Sequence, residues 1–335
     1  MNKPILTICI ATYNRADFIA ETLRSITNQL NTYVEVLIVD GNSTDNTKDI
    51  VKKFSADPRV RYINLGVKGG IDKDYCKAVE FAKGDYCWLF SDDDIMHPGA
   101  IDQVISYCKS GYSLIVLNSK LLDKKLTKEI LDKLILIRKD KIFNSRDLSL
   151  LFQCCIGYMS FIGCVVIDRR LWMRREKNSY FGTEFIHLGI IFQDFLPKKA
   201  LVVAKPMISI RYGNAQWSKR AFEIGIIKWP KLIKSFDLIH PKDQELYGSI
   251  SLLRLFQSAV IFRAKDQYSF REYKNLISGS KFPEYWKIVL LILSFIPTLL
   301  LKVLLIVFLK SIRSNKKVLL FDLLQCLKSQ LFFKM

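Results

Sequence analysis

The stretch ILTICIATYNRADFIAETLRSITNQLNTYVEVLIVDGNSTD, residues 5–45, decides the fold class. It opens on a short β-rich run, Ile5 to Ala11, continues through a helical pattern from Phe18 to Gln29, and returns to a β-rich run at Val34 to Val39. The alternation goes on: helical Asp45 to Phe54, strand Val60 to Asn64, helical Gly70 to Lys83, strand Tyr86 to Phe90, helical Pro98 to Lys109, strand Leu114 to Leu117. Such a succession predicts an α/β fold with a mostly parallel central sheet flanked by helices. Ligands in that architecture sit outside the carboxyl ends of the strands. Three loops there carry polar side chains: Thr12 to Arg15, Asp40 to Asp45, and Ser91 to Asp94.

Working outward, the 335 residues are 50% hydrophobic, ample for a packed core and against disorder. Fifty-one Lys and Arg against 32 Asp and Glu give a net charge of +19. The excess lies entirely behind residue 118: residues 1–118 hold 13 basic and 15 acidic side chains, residues 119–335 hold 38 and 17. Those basic residues accompany apolar helices and form no nucleic-acid recognition motif, so a basic membrane or nucleic-acid scaffold without catalysis is the weaker alternative. Eight cysteines without a Cys-x-x-Cys pair, and three histidines, argue against structural zinc. With Cys9, Cys87 and Cys164 inside apolar runs and no secretory signal at the start, a reducing cytosol is the expected compartment.

From Ser119 to Arg146 the chain is rich in Lys and Leu and reads as a solvated helical excursion. Apolar runs return at Ser160 to Ile167 and Ala200 to Ile210, around a helical stretch from Glu184 to Phe195, and are expected to extend the sheet. Beyond Trp217 the pattern is helical. Ile288 to Leu309 is a 22-residue apolar segment interrupted by Ser294, Pro297, Thr298 and Lys302 and followed by Lys310, Arg313, Lys316 and Lys317. Its length permits one membrane crossing, but the Pro and the Lys favour a kinked helix or helix pair in the interface, with Val318 to Phe333 as an amphipathic tail. The bland alternative is a buried helix pair. On the interfacial reading, a chain ending near Pro283 is expected to be soluble and to keep its donor chemistry.

Three carboxylates, Asp92, Asp93 and Asp94, occupy one strand-to-helix turn after Ser91. Adjacent like charges raise one another's pKa and strain the turn unless a cation holds them ionised, which points to a divalent metal. With the loops at Thr12 to Arg15 and Asp40 to Asp45 they describe a rim of hydrogen-bonding groups suited to a nucleotide diphosphate. Hard, oxygen-seeking Mg or Mn suits a site with few carboxylates and open positions for phosphate.

These residues resemble a glycosyltransferase of family 2 with the GT-A fold: Ile10-Ala11-Thr12-Tyr13-Asn14-Arg15, Val39-Asp40-Gly41-Asn42-Ser43-Thr44-Asp45, Ala82-Lys83-Gly84-Asp85-Tyr86, and the acidic turn with Pro98 behind it. Gly69 to Cys76 and Tyr86 to Phe90 look like the branch containing abequosyltransferases, which decorate O-antigen repeat units. The resemblance implies that Thr12, Tyr13 and Arg15 contact the nucleotide and that Asp40 reads its base. Members commonly show Asp-x-Asp-Asp ahead of Pro, and Ser91 takes the first of those positions here. Register against Pro98 makes Asp93 the metal ligand, with Asp94 beside it and Asp92 on the ribose or behind the metal.

The family places its base at the start of a later helix, often as Glu-Asp. Here Tyr180 to His187 occupies that stretch and offers Glu184 and His187, the latter with an ordinary pKa suited to proton transfer near neutrality. Arg211 in Arg211-Tyr212-Gly213-Asn214 resembles a late basic loop over the donor phosphates, and Lys73 is a second basic candidate near the donor. The expected division is a nucleotide-sugar-binding half at 1–118, an acceptor-binding half at 119–215, a helical extension at 216–285 and a membrane-associating tail at 286–335. The expected activity is inverting, metal-dependent sugar transfer from a nucleotide sugar, a deoxy- or dideoxyhexose among the candidates. The expected acceptor is a lipid-linked saccharide at the cytoplasmic face of a bacterial inner membrane, whose anionic surface is the second partner. A nucleotidyltransferase that makes the nucleotide sugar is the other enzymatic reading, but it would want a Gly-rich phosphate loop after the first strand, and Thr12 to Arg15 has no glycine.

Overall fold

The first strand, β1 (Leu6–Thr12), is buried along almost its whole length, because helices cover both faces of the sheet it belongs to. The computed structural model describes residues 3–248, 251–312 and 316–332. After β1 come α1 (Ile19–Thr27), β2 (Val34–Asp40), α2 (Thr47–Phe54), β3 (Val60–Asn64), α3 (Ile71–Phe81), β4 (Tyr86–Phe90), β5 (Ile95–Met96) and α4 (Ala100–Lys109). The chain continues through β6 (Leu114–Leu122), β7 (Glu129–Leu131), β8 (Lys141–Phe143), α5 (Leu148–Cys155), β9 (Val165–Asp168), α6 (Arg169–Arg174), α7 (Ile186–Phe192) and β10 (Ala200–Arg211).

All the strands form one sheet in the order β3-β2-β1-β4-β9-β6-β10-β5, with β7 against β6 and β8 against β10. The pairs β1–β2, β2–β3, β1–β4 and β6–β10 are parallel, whereas β9 lies antiparallel between β4 and β6. Both returning apolar runs thus join the sheet as expected, and β9 makes it mixed. Ile8, Ile10, Leu23, Ile26, Val36, Ile38, Trp88, Phe90, Ile101 and Val104 pack into one core beneath α1 and α4.

The solvated helix expected over Ser119 to Arg146 is absent. β6 runs on to Leu122, and β7 and β8 follow. The reason is a buried amide: Asn118 donates through Nδ2 to the carbonyls of Ile135 and Ala204 (both 2.9 Å), and its Oδ1 accepts from the backbone of Ser119, Leu134 and Ile135. Those bonds pin an extended segment that composition alone reads as helical.

The chain divides into two compact units, residues 1–212 with 235–243, and residues 213–234 with 244–335. The second is helical: α8 (Ala221–Glu223), α9 (Trp229–Lys234), α10 (Pro241–Gly248, which enters it), α11 (Leu252–Ala264), α12 (Phe270–Glu272), α13 (Glu284–Phe295), α14 (Thr298–Ser311) and α15 (Lys317–Phe332). One cluster in it gathers Phe222, Leu255, Ala259, Tyr268, Ile277, Leu290 and Leu293, and another Ala264, Ile306, Leu309 and Leu323. Among the described residues no single helix is long and apolar enough to cross a membrane; α13 and α14 pass that test only together, bent by 98° at the Ile296–Pro297 break. Arg313 and Phe333, part of the expected basic run and tail, lie outside the described residues.

Candidate active site

Thr12 and Asp40 end β1 and β2 in the same register, and Phe90 ends β4 opposite Ile10, so the three polar loops leave one edge of the sheet. The first two are stitched together. Asn14, in the left-handed region at φ 53°, donates its N–H to Ser43 Oγ (2.9 Å) and accepts the Thr44 N–H on its side-chain oxygen (2.8 Å). The N–H of Arg15 donates to Thr47 Oγ1 (2.8 Å) and that of Ala16 to Asp45 Oδ2 (3.0 Å). Residues that read singly as turn and cap formers therefore fix the rim.

Asp40 is fully buried. Its Oδ1 accepts from the Ser43 N–H (2.8 Å) and hydroxyl (2.7 Å), and its Oδ2 from the Tyr62 hydroxyl (2.6 Å). The acid expected to read a base is in this structure the organiser of its own loop.

Downstream of Asp94, β5 pairs with the end of β10 and brings Arg211 back against the acidic turn. The Arg211 N–H donates to Asp94 Oδ1 (2.8 Å), its Nε to the Asp93 carbonyl (2.8 Å), one Nη to the Lys124 carbonyl (2.9 Å) and the other to the Glu21 carboxylate. Expected above donor phosphates, Arg211 is instead buried and braces the turn. Asp94 is turned to this brace. Asp92 and Asp93 face Arg15, whose Nε lies 3.2 Å from Asp92 Oδ1 and whose Nη2 lies 3.3 Å from Asp93 Oδ2, while Ser91 Oγ donates to Asp93 Oδ1 at 2.5 Å. Arg15 thus meets Asp92 and Asp93, whereas Asp94, the other acid expected beside a metal, is engaged by the Arg211 N–H. Burial pushes the carboxyls of Asp92 and Asp94 above the usual range and the Asp93 charge adds to it; Arg15 draws the first back, and the Arg211 N–H the second. The Phe18 ring lies under Arg15 (5.7 Å), Arg211 (5.2 Å) and Lys124 (5.6 Å).

A divalent cation fits this corner. The donors are hard carboxylate oxygens, and the Arg15 guanidinium marks where two of them meet a positive charge. Among the described residues no three acidic, His or Cys side chains gather around one point, so an ion held by Asp92 and Asp93 would need phosphate and water for its other ligands, the mode Mg favours. Thr12 Oγ1, beneath the rim, is buried and has no hydrogen-bond partner among the described residues.

A second corner forms where α3 begins. Gly70 sits at φ 85°, and a Cβ on Gly69 would come within 2.7 Å of Asp74 Oδ1, which accepts the Gly69 N–H at 3.1 Å. Burial, the largest cause, pushes the Asp74 carboxyl up to about 6. Beside it Lys68 Nζ stands 3.8 Å from the Tyr13 ring centroid. Asp72, also buried, accepts the N–H groups of Glu184 and Ile186 (both 3.0 Å), and so ties the loop before α7 to α3. That clamp holds Glu184 at φ 73°, a conformation L residues seldom adopt. Lys73 is exposed on the same helix turn, its Nζ 5.7 Å from the Phe181 ring. Neither Asp72 nor Asp74 stands out in the sequence. The available signal was a Gly-Gly pair ahead of two acids in a first helical turn.

His187 does not join this corner. It lies buried on α7, its Nε2 donating to the Met159 carbonyl at 2.7 Å, while Nδ1 is buried without a partner among the described residues. A carbonyl only accepts, so the proton is on Nε2. Burial draws the imidazole down to about 4. A proton taken up there would place a charge in an apolar core, so the expectation of His187 as the base gives way to a structural role, and Glu184 is left.

Residues 7–170 match the family model described as Glycosyl transferase family 2. The chain carries a family 2 glycosyltransferase domain. Over 275 residues the chain is 26% identical to abequosyltransferase RfbV of Salmonella typhimurium, 77% of this chain and 80% of that one. It is 28% identical over 148 residues to the GalNAc(5)-diNAcBac-PP-undecaprenol beta-1,3-glucosyltransferase of Campylobacter jejuni, covering 43% and 47%. Among solved structures, S. aureus TarS 1-349 in complex with UDP superposes with a TM-score of 0.57 at 16% identity, over 80% of this chain and 76% of that one. This last likeness carries the fold alone: the glycosyltransferase domain has the GT-A fold.

Proposed function

We propose that the chain transfers a sugar, with inversion at the anomeric carbon, from a nucleotide-sugar donor to a hydroxyl of a lipid-linked saccharide on the cytoplasmic face of a bacterial membrane, in the assembly of a surface polysaccharide of the O-antigen kind. The observation that carries it is the meeting of the Thr12–Arg15 loop, the Asp40–Asp45 loop and the Asp92–Asp93 pair on one edge of the sheet. The alignment along most of the abequosyltransferase supports the polysaccharide class, the undecaprenol-linked relative's name supports a lipid-linked acceptor, and the UDP complex of a protein of like fold supports a nucleotide donor.

On this reading Tyr13 and Lys68 bound the donor's nucleoside end, and Arg15, released from the two acids, meets its diphosphate. Asp92 and Asp93 would hold Mg or Mn, which when bound neutralises charge on the departing nucleoside diphosphate. Arg211 keeps the acidic turn in place, so charge developing on the leaving group meets groups already oriented. Glu184, its backbone fixed by Asp72, takes the proton of the acceptor hydroxyl as it attacks, and Lys73, exposed on the first turn of α3, is the further basic group offered to the donor. The test is a panel of nucleotide sugars followed for slow hydrolysis and for transfer to extracted lipid-linked saccharides. Activity is expected for one donor class, is lost in Asp93→Asn with the fold intact, and stops in EDTA until Mg or Mn returns. Full activity in EDTA would overturn the metal, and absence of hydrolysis with every donor would overturn the transferase reading.

A further inference from the structure

Two helices of the second unit carry large apolar side chains on the face turned outward. On α14 the side chains turned inward are Lys302, Ile306 and Leu309, with Lys302 fully buried and its Nζ 2.9 Å from Asp266 Oδ2. Outward go Leu299, Leu300, Val303, Leu304, Val307 and Phe308, a single stripe at helical spacing. On α13 Leu290, Leu293 and Ser294 face in, while Tyr285, Ile288, Ile292 and Phe295 face out at intervals of three and four residues. Each of these ten outward residues is between 42% and 65% exposed. A helix settled against water shows charged and polar side chains on its outward face and buries no Lys.

The charges around the stripe choose its occupant. From Lys281 onward the sequence holds nine basic and two acidic residues, and both acids are paired, Glu284 with Lys287 and Asp322 with Lys265. Lys281 before α13, Lys310 at the end of α14 and Lys316 and Lys317 before and at the start of α15 are exposed. Such a basic rim repels a second copy of itself and attracts anionic headgroups. Tyr285 and Trp286 at the start of α13 are residues suited to the boundary between headgroups and chains. The 98° bend keeps the pair from crossing as one rod.

We propose that the outward stripe of α13 and α14 docks on an anionic phospholipid bilayer, lying within its interfacial layer without spanning it. This rests on the glycosyltransferase reading only for its use, which is to confine the enzyme to the surface that holds a lipid-linked acceptor. The experiment is flotation of the full chain with vesicles of phosphatidylethanolamine and phosphatidylglycerol, against vesicles of pure phosphatidylcholine, with nucleotide-sugar hydrolysis read on the same samples. Wild type is expected to float with the anionic vesicles, several-fold less with the neutral ones, and to be released only in part by 1 M salt, because the apolar contact is unscreened. Leu304→Glu with Val307→Glu, both at exposed positions, is expected to cut partitioning at least tenfold while hydrolysis persists. Ile292→Ser with Phe295→Ser gives a milder second variant, expected to fall between. Unchanged flotation of both variants would overturn the proposal. So would a lipid-free wild-type dimer that the variants dissociate and that never floats, which would make a second copy the occupant. Loss of hydrolysis in wild type with flotation intact would instead strike the transferase reading.

Discussion

Glu184 and His187 stand three residues apart and lead opposite lives. The backbone N–H of Glu184 is held by the Asp72 carboxylate, and His187 is buried on α7 with its Nε2–H donated to the Met159 carbonyl. Glu184→Gln is therefore expected to lower kcat by about 10²- to 10⁴-fold, the usual range of general base catalysis, with nucleotide-sugar affinity nearly unchanged. His187→Gln should keep kcat within a few-fold and lower thermal stability, by about 1–3 kcal/mol for a disturbed buried hydrogen bond. Steady-state kinetics and thermal unfolding on the two variants decide, and a reversal of the pattern would restore the histidine. Asp74 yields a pH prediction. Its folded carboxyl, at about 6, lies above the unfolded value near 3.9, so the folded chain binds more protons between the two. The stabilisation this gives at low pH is lost as pH rises through 6. Asp74→Asn keeps an acceptor for Gly69 and removes the titration. Its Tm should fall less than the wild-type Tm between pH 5 and 7, and equal slopes would contradict the assignment.

At the scale of the element, the segment 119–146 depends on one side chain. Asn118→Ala would strip the backbone groups of Leu134, Ile135 and Ala204 of their buried partner, at an expected cost of about 2–4 kcal/mol in urea unfolding. A loss below 0.5 kcal/mol, within the range of surface substitutions, would show that the extended path is fixed by other contacts. Here too lies the reason part of the molecule was legible and part was not. β1, β2 and β4 announce themselves because strands buried on both faces must be continuously apolar, and the polar loops then follow from strand direction alone. Ser119 to Arg146 was misread because Lys and Leu composition is local whereas the Asn118 bonds reach 17 and 86 residues along the chain. The Asp72 clamp spans 112 residues, so Glu184 could be nominated by position but its conformation could not be foreseen. Arg211 was expected over the donor phosphates; its place at the acidic turn depends on the antiparallel return of β5 to β10, which no local pattern announces.

For the molecule as a whole, two units with separate cores imply two separable thermal events. The nucleoside diphosphate of whichever donor the panel identifies, added with Mn, should raise only the event belonging to the glycosyltransferase domain, by about 2.7 kcal/mol at a hundredfold excess over Kd. Anionic vesicles should move only the other. One transition that follows both additions would refute the division, and differential scanning calorimetry reads it directly. The expectation of a well-behaved chain ending near Pro283 changes accordingly. Such a cut removes Leu290 and Leu293 from the cluster around Tyr268, whose hydroxyl donates to the Leu290 carbonyl, so the shortened helical unit should lose its own transition.

The sheet itself ends quietly on both sides. β3, at one margin, has five residues and carries Arg61, paired with Glu35, and at the other the outer edge of β10 is met in two pieces, β8 with three residues and β5 with two. Short, charged margins give an incoming strand little to extend. Self-association of this protein in the absence of lipid should therefore run through side chains and not through backbone pairing. Material that clouds on concentration should redissolve in mild detergent, leave thioflavin T dark and show no gain in β-structure by infrared spectroscopy.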